Sequence, residues 1–480
     1  MNYKMIRYIL SVFLRAEAAL MLLPLLVCLI YGGESAVWFL ASIAIALTAS
    51  LLLGIKKPEN DTIFAKEGFV SVALGWLLLS IFGGIPFLIS GSIPSPIDCF
   101  FETASGFTTT GASILKDVEA LSKGMLFWRE FTHWIGGMGV LVFILMMTQL
   151  SEGRSLYLMR AEVPGPSVGK LTPKSSSTAV ILYGIYTGMT LLEIILLICG
   201  GMPVFDSVCY AFGSAGTGGF SITNAGLAGY ANPYAEWVIG VFMVLFGVNF
   251  NLYYLILVKK LRLALASEEL QTFFGIVIVC SILMGISIYP IYGDFWVTAR
   301  MAFFHVSTIV STTGFTNADF TLWPNFSKAL LLFLMLVGSC AGSTAGGLKV
   351  SRIVIMWKVA KRNIFQLLHP HSVGTIKFEG KPVDKDIGNG VAIYISIFLF
   401  ILTGSVLLVA IEGQPFETSF AAVLSCFNNV GPGLGVNGPM GNYAGYSDAT
   451  KLLLSMLMIT GRLEIYPILI LFVPSLWKKR

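Results

Sequence analysis

Four short polar stretches carry the residue types able to do chemistry in this sequence. They are Thr108-Thr109-Thr110-Gly111-Ala112-Ser113, Ala215-Gly216-Thr217-Gly218-Gly219-Phe220-Ser221, Ser311-Thr312-Thr313-Gly314-Phe315-Thr316 and Asn428-Asn429-Val430-Gly431-Pro432-Gly433. Each follows an apolar segment too short to cross a bilayer. Their glycines Gly111, Gly218, Gly314 and Gly431 recur roughly every hundred residues, the mark of one unit used several times. The stretches contain no carboxylate, so what they offer is hydroxyl, amide and backbone carbonyl oxygen. Glycine permits positive φ, which lets successive carbonyls aim at one axis. Oxygen rings of that kind can replace the hydration shell of a cation, and the C-terminal ends of short helices add partial negative charge. A single stretch of this composition reads as ordinary loop punctuation. Four, each after a too-short apolar segment, read as a pore.

The elements that position these turns belong to a membrane protein. Of 480 residues, 56% are hydrophobic and 12% charged, and mean hydropathy is +0.81, far more apolar than a soluble domain. Apolar runs of about 20 residues, the length that spans a bilayer, recur throughout. The net charge of +5 does not indicate nucleic acid, because the basic residues lie between membrane segments. The seven cysteines form no CxxC pair, and His133, His305, His369 and His371 show no metal spacing such as HExxH. Lys4 and Arg7 before an apolar run imitate a signal peptide. Arg15 and Glu17 interrupt that run, however, and the reading is a retained first helix.

The expected fold class is an all-α polytopic membrane protein: four helix–pore-loop–helix repeats around a central pore, plus an N-terminal two-helix hairpin. The hairpin, over 1–60, has helices at about 8–31 and 36–55 with Gly32-Gly33 at its tip. Pore repeats are expected over 61–165, 166–265, 266–370 and 371–480. Their short helices fall at 95–106, 205–214, 296–310 and 416–428. Flanking spans fall at 68–90 and 125–150, 178–200 and 236–258, 272–289 and 328–359, and 388–411 and 450–474. This gives ten spans and four re-entrant helices. Backbone that is not helical at membrane depth is tolerated only where it is buried in protein or lines water, which assigns the four turns to the pore. One set of loops holds Arg154, Arg160, Lys170, Lys174, Lys259, Lys260, Arg262, Lys358, Lys361, Arg362, Lys377, Lys381 and Lys385, and the tail adds Lys478, Lys479 and Arg480. The positive-inside rule makes that side cytoplasmic, with both termini, and the re-entrant loops external.

The turns, their spacing and the extra hairpin resemble the Trk/Ktr/HKT superfamily of potassium transporters over the whole chain, and most of all its TrkH branch of bacterial potassium-uptake subunits. The resemblance implies that Thr109, Thr110, Gly111, Gly216, Thr217, Gly218, Thr312, Thr313, Gly314, Asn429, Val430 and Gly431 form a potassium selectivity filter. A glycine rather than a serine at Gly111 is the potassium-favouring version in that family. It also implies uptake across the bacterial inner membrane, a homodimer, and a cytoplasmic TrkA-like regulatory subunit that binds ATP, ADP or NAD. No nucleotide-binding motif lies in this chain, so potassium is its only implied ligand, apart from surrounding lipid. The basic stretches Lys259–Arg262 and Lys349–Lys385 are candidates for docking that subunit.

Two further elements stand out. Gly338 to Lys349 interrupts the helix after the third turn with glycines that each cost about 1 kcal/mol relative to alanine. Its residues Gly342, Ser343, Thr344, Ala345, Gly346 and Gly347 read as a flexible loop below the filter, although small residues also serve tight helix packing. By the resemblance this is an intramembrane gating loop. Arg462 lies inside the last helix, where a charge defaults to a functional role; an ion pair with Glu464 is the competing reading. The resemblance places it near the cavity under the filter, as a positive barrier. Arg129 and Glu130 are expected to snorkel or pair at the interface. A rival function is symport coupled to a proton or sodium, which needs a carboxylate able to cycle its proton; Glu193 and Glu464 are the candidates. An enzyme would need a nucleophile with a base, and His133 and His305 lack acidic partners in sequence.

Overall fold

A computed structural model describes residues 1–33, 35–55, 65–139, 175–370, 375–383 and 385–477. Apart from one small antiparallel hairpin, Lys377–Phe378 with Lys381–Pro382, the regular structure among these residues is helical. The N-terminal hairpin is present as Tyr3–Leu20 and Leu22–Ile30 against Ala36–Gly54. Arg15 sits between its arms, donating to the hydroxyls of Ser50 and Ser11, each at 3.0 Å. Phe13 fills the space left by Gly75 in the next helix, which anchors the hairpin to the first repeat-like unit.

A long apolar helix, a short helix, a loop and a second helix then follow one another four times. The short helices run Pro96–Phe107, Val204–Gly216, Phe295–Val310 and Phe416–Asn428, close to the expected bounds. Their starts are marked in the sequence. Ser95 accepts from Asp98 N with Pro96 at the first helical position, and Asp294 accepts from Val297 N; both are N-caps that satisfy an orphan donor. These helices are the centre of the molecule. Phe101, Ala104, Ala211, Val306, Ala421 and Leu424 are all fully buried. The long first helices of the second, third and fourth units face outward and expose apolar side chains, as Ile278, Ile282 and Ile286 do on Glu268–Tyr292.

The second helices differ from expectation. Each ends about midway along the apolar run expected as one span; the break at Gly338 in the third was expected from its glycines, and the others were not. Lys123–Met138 stops before Gly139 at φ 80, and the rest of the span expected to residue 150 lies outside the described residues. Pro233–Phe246 bends by 93° into Phe250–Leu257, correcting the straight helix expected over 236–258. Asn325–Val337 ends at Gly338, φ 67, and the chain resumes helix at Val350–Leu368. Asp448–Arg462 ends before Glu464 and Ile465, both at positive φ, correcting the helix expected to 474. Hence six helices among the described residues are long and apolar enough to span a membrane, or seven with the bent pair, against ten expected. The divided second helices make up the difference. The physical reason is close approach: a Cβ at Gly136 would overlap Phe107 O, and one at Gly461 would overlap Phe427 O. The second helix is thus pressed against the end of its own short helix, and no side chain fits between them.

Candidate ion-conduction site

Each short helix ends in the same hydrogen-bonded motif. Thr109 N donates to Gly106 O at 3.1 Å and Thr110 N to Ser105 O at 2.9 Å. The pattern repeats at Thr217 and Gly218 (3.0 and 2.8 Å), at Thr312 and Thr313 (3.1 and 2.8 Å), and at Asn429 and Val430 (3.4 and 2.9 Å). This is a Schellman cap, whose left-handed residue is ordinarily glycine. Here it is Thr109 at φ 54, Thr217 at 55, Thr312 at 55 and Asn429 at 56. A β-branched residue in that region is a genuine outlier, and such strain costs on the order of 1–3 kcal/mol per residue. It persists only where the surroundings over-determine it, which is characteristic of binding sites.

The cap register corrects the second turn. The residues equivalent to Thr109-Thr110-Gly111 are Thr217-Gly218-Gly219, one position later than Gly216-Thr217-Gly218. Gly219, not Gly218, has the positive φ of 74 that matches Gly111 at 77, Gly314 at 87 and Gly431 at 99. Gly216 is the last residue of its helix. Two adjacent glycines left the register ambiguous in sequence; the hydrogen bonds and φ angles fix it.

The four glycines close a ring. A Cβ on Gly111 would overlap Gly218 O, one on Gly219 would overlap Thr313 O, and one on Gly314 would overlap Val430 O. One on Gly431 would lie 2.5 Å from Thr110 O. Each turn therefore touches the next, and the fourth returns to the first. Asn429 Nδ2 reinforces the closure, donating to Thr110 Oγ1 at 2.9 Å and Met458 O at 2.9 Å. Gly111, Gly219, Gly314 and Gly431 line one cavity of about 210 Å³. No group of three His, Cys, Asp or Glu side chains converges on a metal site among the described residues. The oxygens available to an ion at the ring are carbonyls and Thr and Asn side chains.

Gly342, Ser343, Thr344, Ala345, Gly346 and Gly347 lie on the opposite side of the ring from that cavity, in a loop that replaces helix. Gly346 N donates to Thr312 Oγ1 at 2.7 Å, and a Cβ at Gly346 would lie 2.9 Å from Asn429 Cβ. Thr344 Oγ1 donates to Phe246 O at 3.2 Å, and Phe250 N donates to Gly342 O at 3.0 Å. Glu269 holds both ends, accepting from Ala341 N at 2.7 Å and Ser351 N at 3.1 Å. Arg462 completes the enclosure. It donates to Thr344 O at 2.7 Å, to Gly137 O at 2.9 Å and to Gly136 O. Glu464 instead pairs with Arg352. The loop is thereby tied to elements of all four units.

Three positions depart from the sequence reading. Arg129 and Glu130 are buried, not interfacial. Arg129 donates to Glu102 at 2.7 Å and to Ser221 O at 2.9 Å, and its guanidinium lies 3.5 Å from the Phe220 ring centre. Glu102 also accepts from Ser113 Oγ and Ile114 N, each at 2.9 Å. This carboxylate, which the sequence reading did not single out, braces the chain after the first and second turns. Its signal was available: an acid in the middle of a short apolar helix. Lys349, counted with the docking stretch, is buried beneath the ring and donates to Ala345 O and to Gly346 O at 3.1 Å. The basic residues at 154–174 and 478–480 lie outside the described residues.

The chain matches the family described as TrkH, cation transport protein, over residues 35–288 and 297–479. It is 33% identical over 487 aligned residues to the Trk system potassium uptake protein TrkH of Salmonella typhimurium, covering all of both chains. Identity to TrkG of Escherichia coli is 32%, over 95% of each chain. The crystal structure of the potassium transporter TrkH from Vibrio parahaemolyticus superposes with a TM-score of 0.89 at 30% identity, again covering both chains in full. With the helical multi-pass fold and the ring of four strained turns, these similarities place the chain in the TrkH family of cation transport proteins, a family of transporters and not of enzymes.

Proposed function

We propose that the chain takes up potassium across the bacterial inner membrane through a pseudo-fourfold filter built from four units, over 61–165, 166–265, 266–370 and 371–480, with the hairpin over 1–60 outside the pore. The observation that carries this reading is the closed ring of left-handed turns, from Gly111 through Gly219 and Gly314 to Gly431. Thr109, Thr110, Gly111, Thr217, Gly218, Gly219, Thr312, Thr313, Gly314, Asn429, Val430 and Gly431 supply its oxygens. Potassium moves inward down a gradient worth about 2.3 kcal/mol per charge per 100 mV. The loop from Gly342 to Gly347 is the gate, and Arg462 is its latch and a positive barrier beneath the filter. The similarity to potassium uptake proteins supports the choice of ion. Both termini are cytoplasmic. The protein works as a homodimer with a cytoplasmic TrkA-like subunit that binds ATP, ADP or NAD. The exposed face of Val350–Leu368, with Trp357 and Leu367 outward, supports a contact there, as do Lys259–Arg262.

The second reading, symport with a proton or sodium, rests on Glu193, a fully buried carboxylate beside Ser214 of the second short helix. Glu464 is a poorer carrier because Arg352 holds it. The test is the reversal potential of purified protein in liposomes, under opposed potassium and sodium gradients at two pH values. A passive filter gives a reversal near the potassium equilibrium potential that ignores pH; symport displaces it with the proton gradient. Gly111→Ser should raise sodium permeation relative to potassium, because its Cβ pushes into Gly218 O. Unchanged ion ratios would count against the filter.

A further inference from the structure

The second turn is built differently from the other three. In the first, the Thr108 and Thr110 hydroxyls meet at 2.8 Å; in the third, those of Ser311 and Thr313 meet at 2.7 Å. In the fourth, Asn428 Nδ2 donates back to Leu424 O at 3.0 Å, and Val430 is fully buried. The equivalent pair in the second turn is Gly216 and Gly218, which has no side chains to clasp. Backbone conformation does not require glycine at either position, because neither has a positive φ, and threonine, serine, asparagine or valine stands there in the other turns. What excludes a side chain is His133. A Cβ on Gly218 would overlap its imidazole, and a Cβ on Gly216 would overlap its backbone carbonyl.

The imidazole is itself held tightly. It stacks on Phe220 at 4.2 Å between centroids, and the Arg129 guanidinium covers that ring at 3.5 Å. His133 is fully buried, and its two ring nitrogens have no hydrogen-bond partner among the described residues. The Glu130 carboxylate, at 3.9 Å from Nδ1, is beyond hydrogen-bonding distance. A ring so placed contributes volume and shape.

We infer that His133 is a positioning residue for ion selectivity: a wedge from the helix after the first turn whose ring fills the space behind Gly218 and holds the second turn in register with the others. The inference rests on the filter reading, and the experiment separates the two. His133→Ala, Gly218→Thr, the double variant His133→Ala/Gly218→Thr and His133→Gln are compared with Gly111→Ser by reversal potential in liposomes. His133→Ala should lower the potassium-to-sodium permeability ratio by about tenfold, as a ring-sized void lets the turn relax. Gly218→Thr alone should lose flux or selectivity through collision with the ring. The double variant should recover selectivity, because threonine then enters the vacated space and fills it. His133→Gln, similar in volume and uncharged, should behave as the unsubstituted protein.

A normal ratio in His133→Ala, with a changed ratio in Gly111→Ser, overturns the wedge and leaves the filter standing. So does a fully selective Gly218→Thr, a double variant no better than His133→Ala, or a His133→Gln as impaired as His133→Ala. Unchanged ratios in both His133→Ala and Gly111→Ser remove the filter reading itself. Should His133→Ala not stay monodisperse in detergent, the double variant decides. Recovery of folding and flux supports the wedge, and failure alongside the single variant overturns it.

Discussion

Replacing Arg462 with alanine should open the pore. Its guanidinium donates to Thr344 O at 2.7 Å on the loop side, and to Gly137 O at 2.9 Å and Gly136 O on the helix side. The contact to Thr344 is the one that an outward swing of the loop would break. A hydrogen bond from a charged donor contributes about 1.5–3 kcal/mol. If the closed loop dominates, losing that bond raises the open population by about 10- to 150-fold, since each 1.4 kcal/mol is a factor of ten. Potassium flux into liposomes at a fixed gradient reads this directly, with detergent chromatography confirming that the variant is folded. Charge and tether are separated by Arg462→Lys, which keeps a cation below the ring but not a fork that grips both segments. Its flux should fall between the two. A folded Arg462→Ala with flux at or below the unsubstituted protein refutes the latch. If Arg462→Lys conducts like the unsubstituted protein, the tether contributes nothing and charge alone restrains permeation.

Two other substitutions probe the same architecture. Gly346→Ala places a methyl group against Asn428 O and 2.9 Å from Asn429 Cβ, an overpacking that costs about 1–3 kcal/mol. The loop should be displaced from the fourth turn and basal flux should rise in the same liposome assay, whereas unchanged flux would mean that the loop does not bear on the ring. Arg129→Met leaves Glu102 buried without its partner at 2.7 Å, an imbalance of about 3–5 kcal/mol. Thermal unfolding in detergent should show that loss, with part of it recovered by adding Glu102→Gln.

The short helices were legible because two signals coincided: an apolar run too short to span, and a glycine-bearing polar turn after it. The fourth was found to the residue despite its divergent Asn-Asn-Val-Gly sequence. The second turn was misregistered because Gly216, Gly218 and Gly219 are equally plausible counterparts of Gly111, and only the cap hydrogen bonds and φ angles distinguish them. The break after Val337 was legible in its cluster of glycines, but those in the other second helices were hidden for a related reason. Glycine in an apolar run can mark either a helix end or a packing contact, and Gly136 and Gly461 serve the second purpose a few residues before the end. Arg129 looked interfacial because it lies near the start of its helix. That start is covered by Glu102 and Phe220, which are distant in sequence, so no local pattern could expose it.

The loop proposed as the gate is held by contacts at both its ends and its body. The loop leaves the third second-helix at Gly338 and re-enters helix at Val350, where Val350 N donates to Ser339 O at 2.9 Å. Its two ends are therefore clasped together, and its body is pinned from four directions by Thr312, Gly346 against Asn428, Phe246, and Arg462. Release cannot be a drift of one contact, because the remaining ones still hold the loop under the ring. In the proposed gate, release would loosen the Ser339–Val350 clasp and the Glu269 bridge together, and both are attached to Val350–Leu368. That helix carries exposed Trp357, Leu367 and Leu368 and buried Arg352 paired to Glu464, two residues beyond the latch. A pull on this one helix would thus reach the loop ends through Ser351 and the latch through Glu464 at once. In the proposed gate, a contact on this exposed helix face would act on both loop ends and on the latch together.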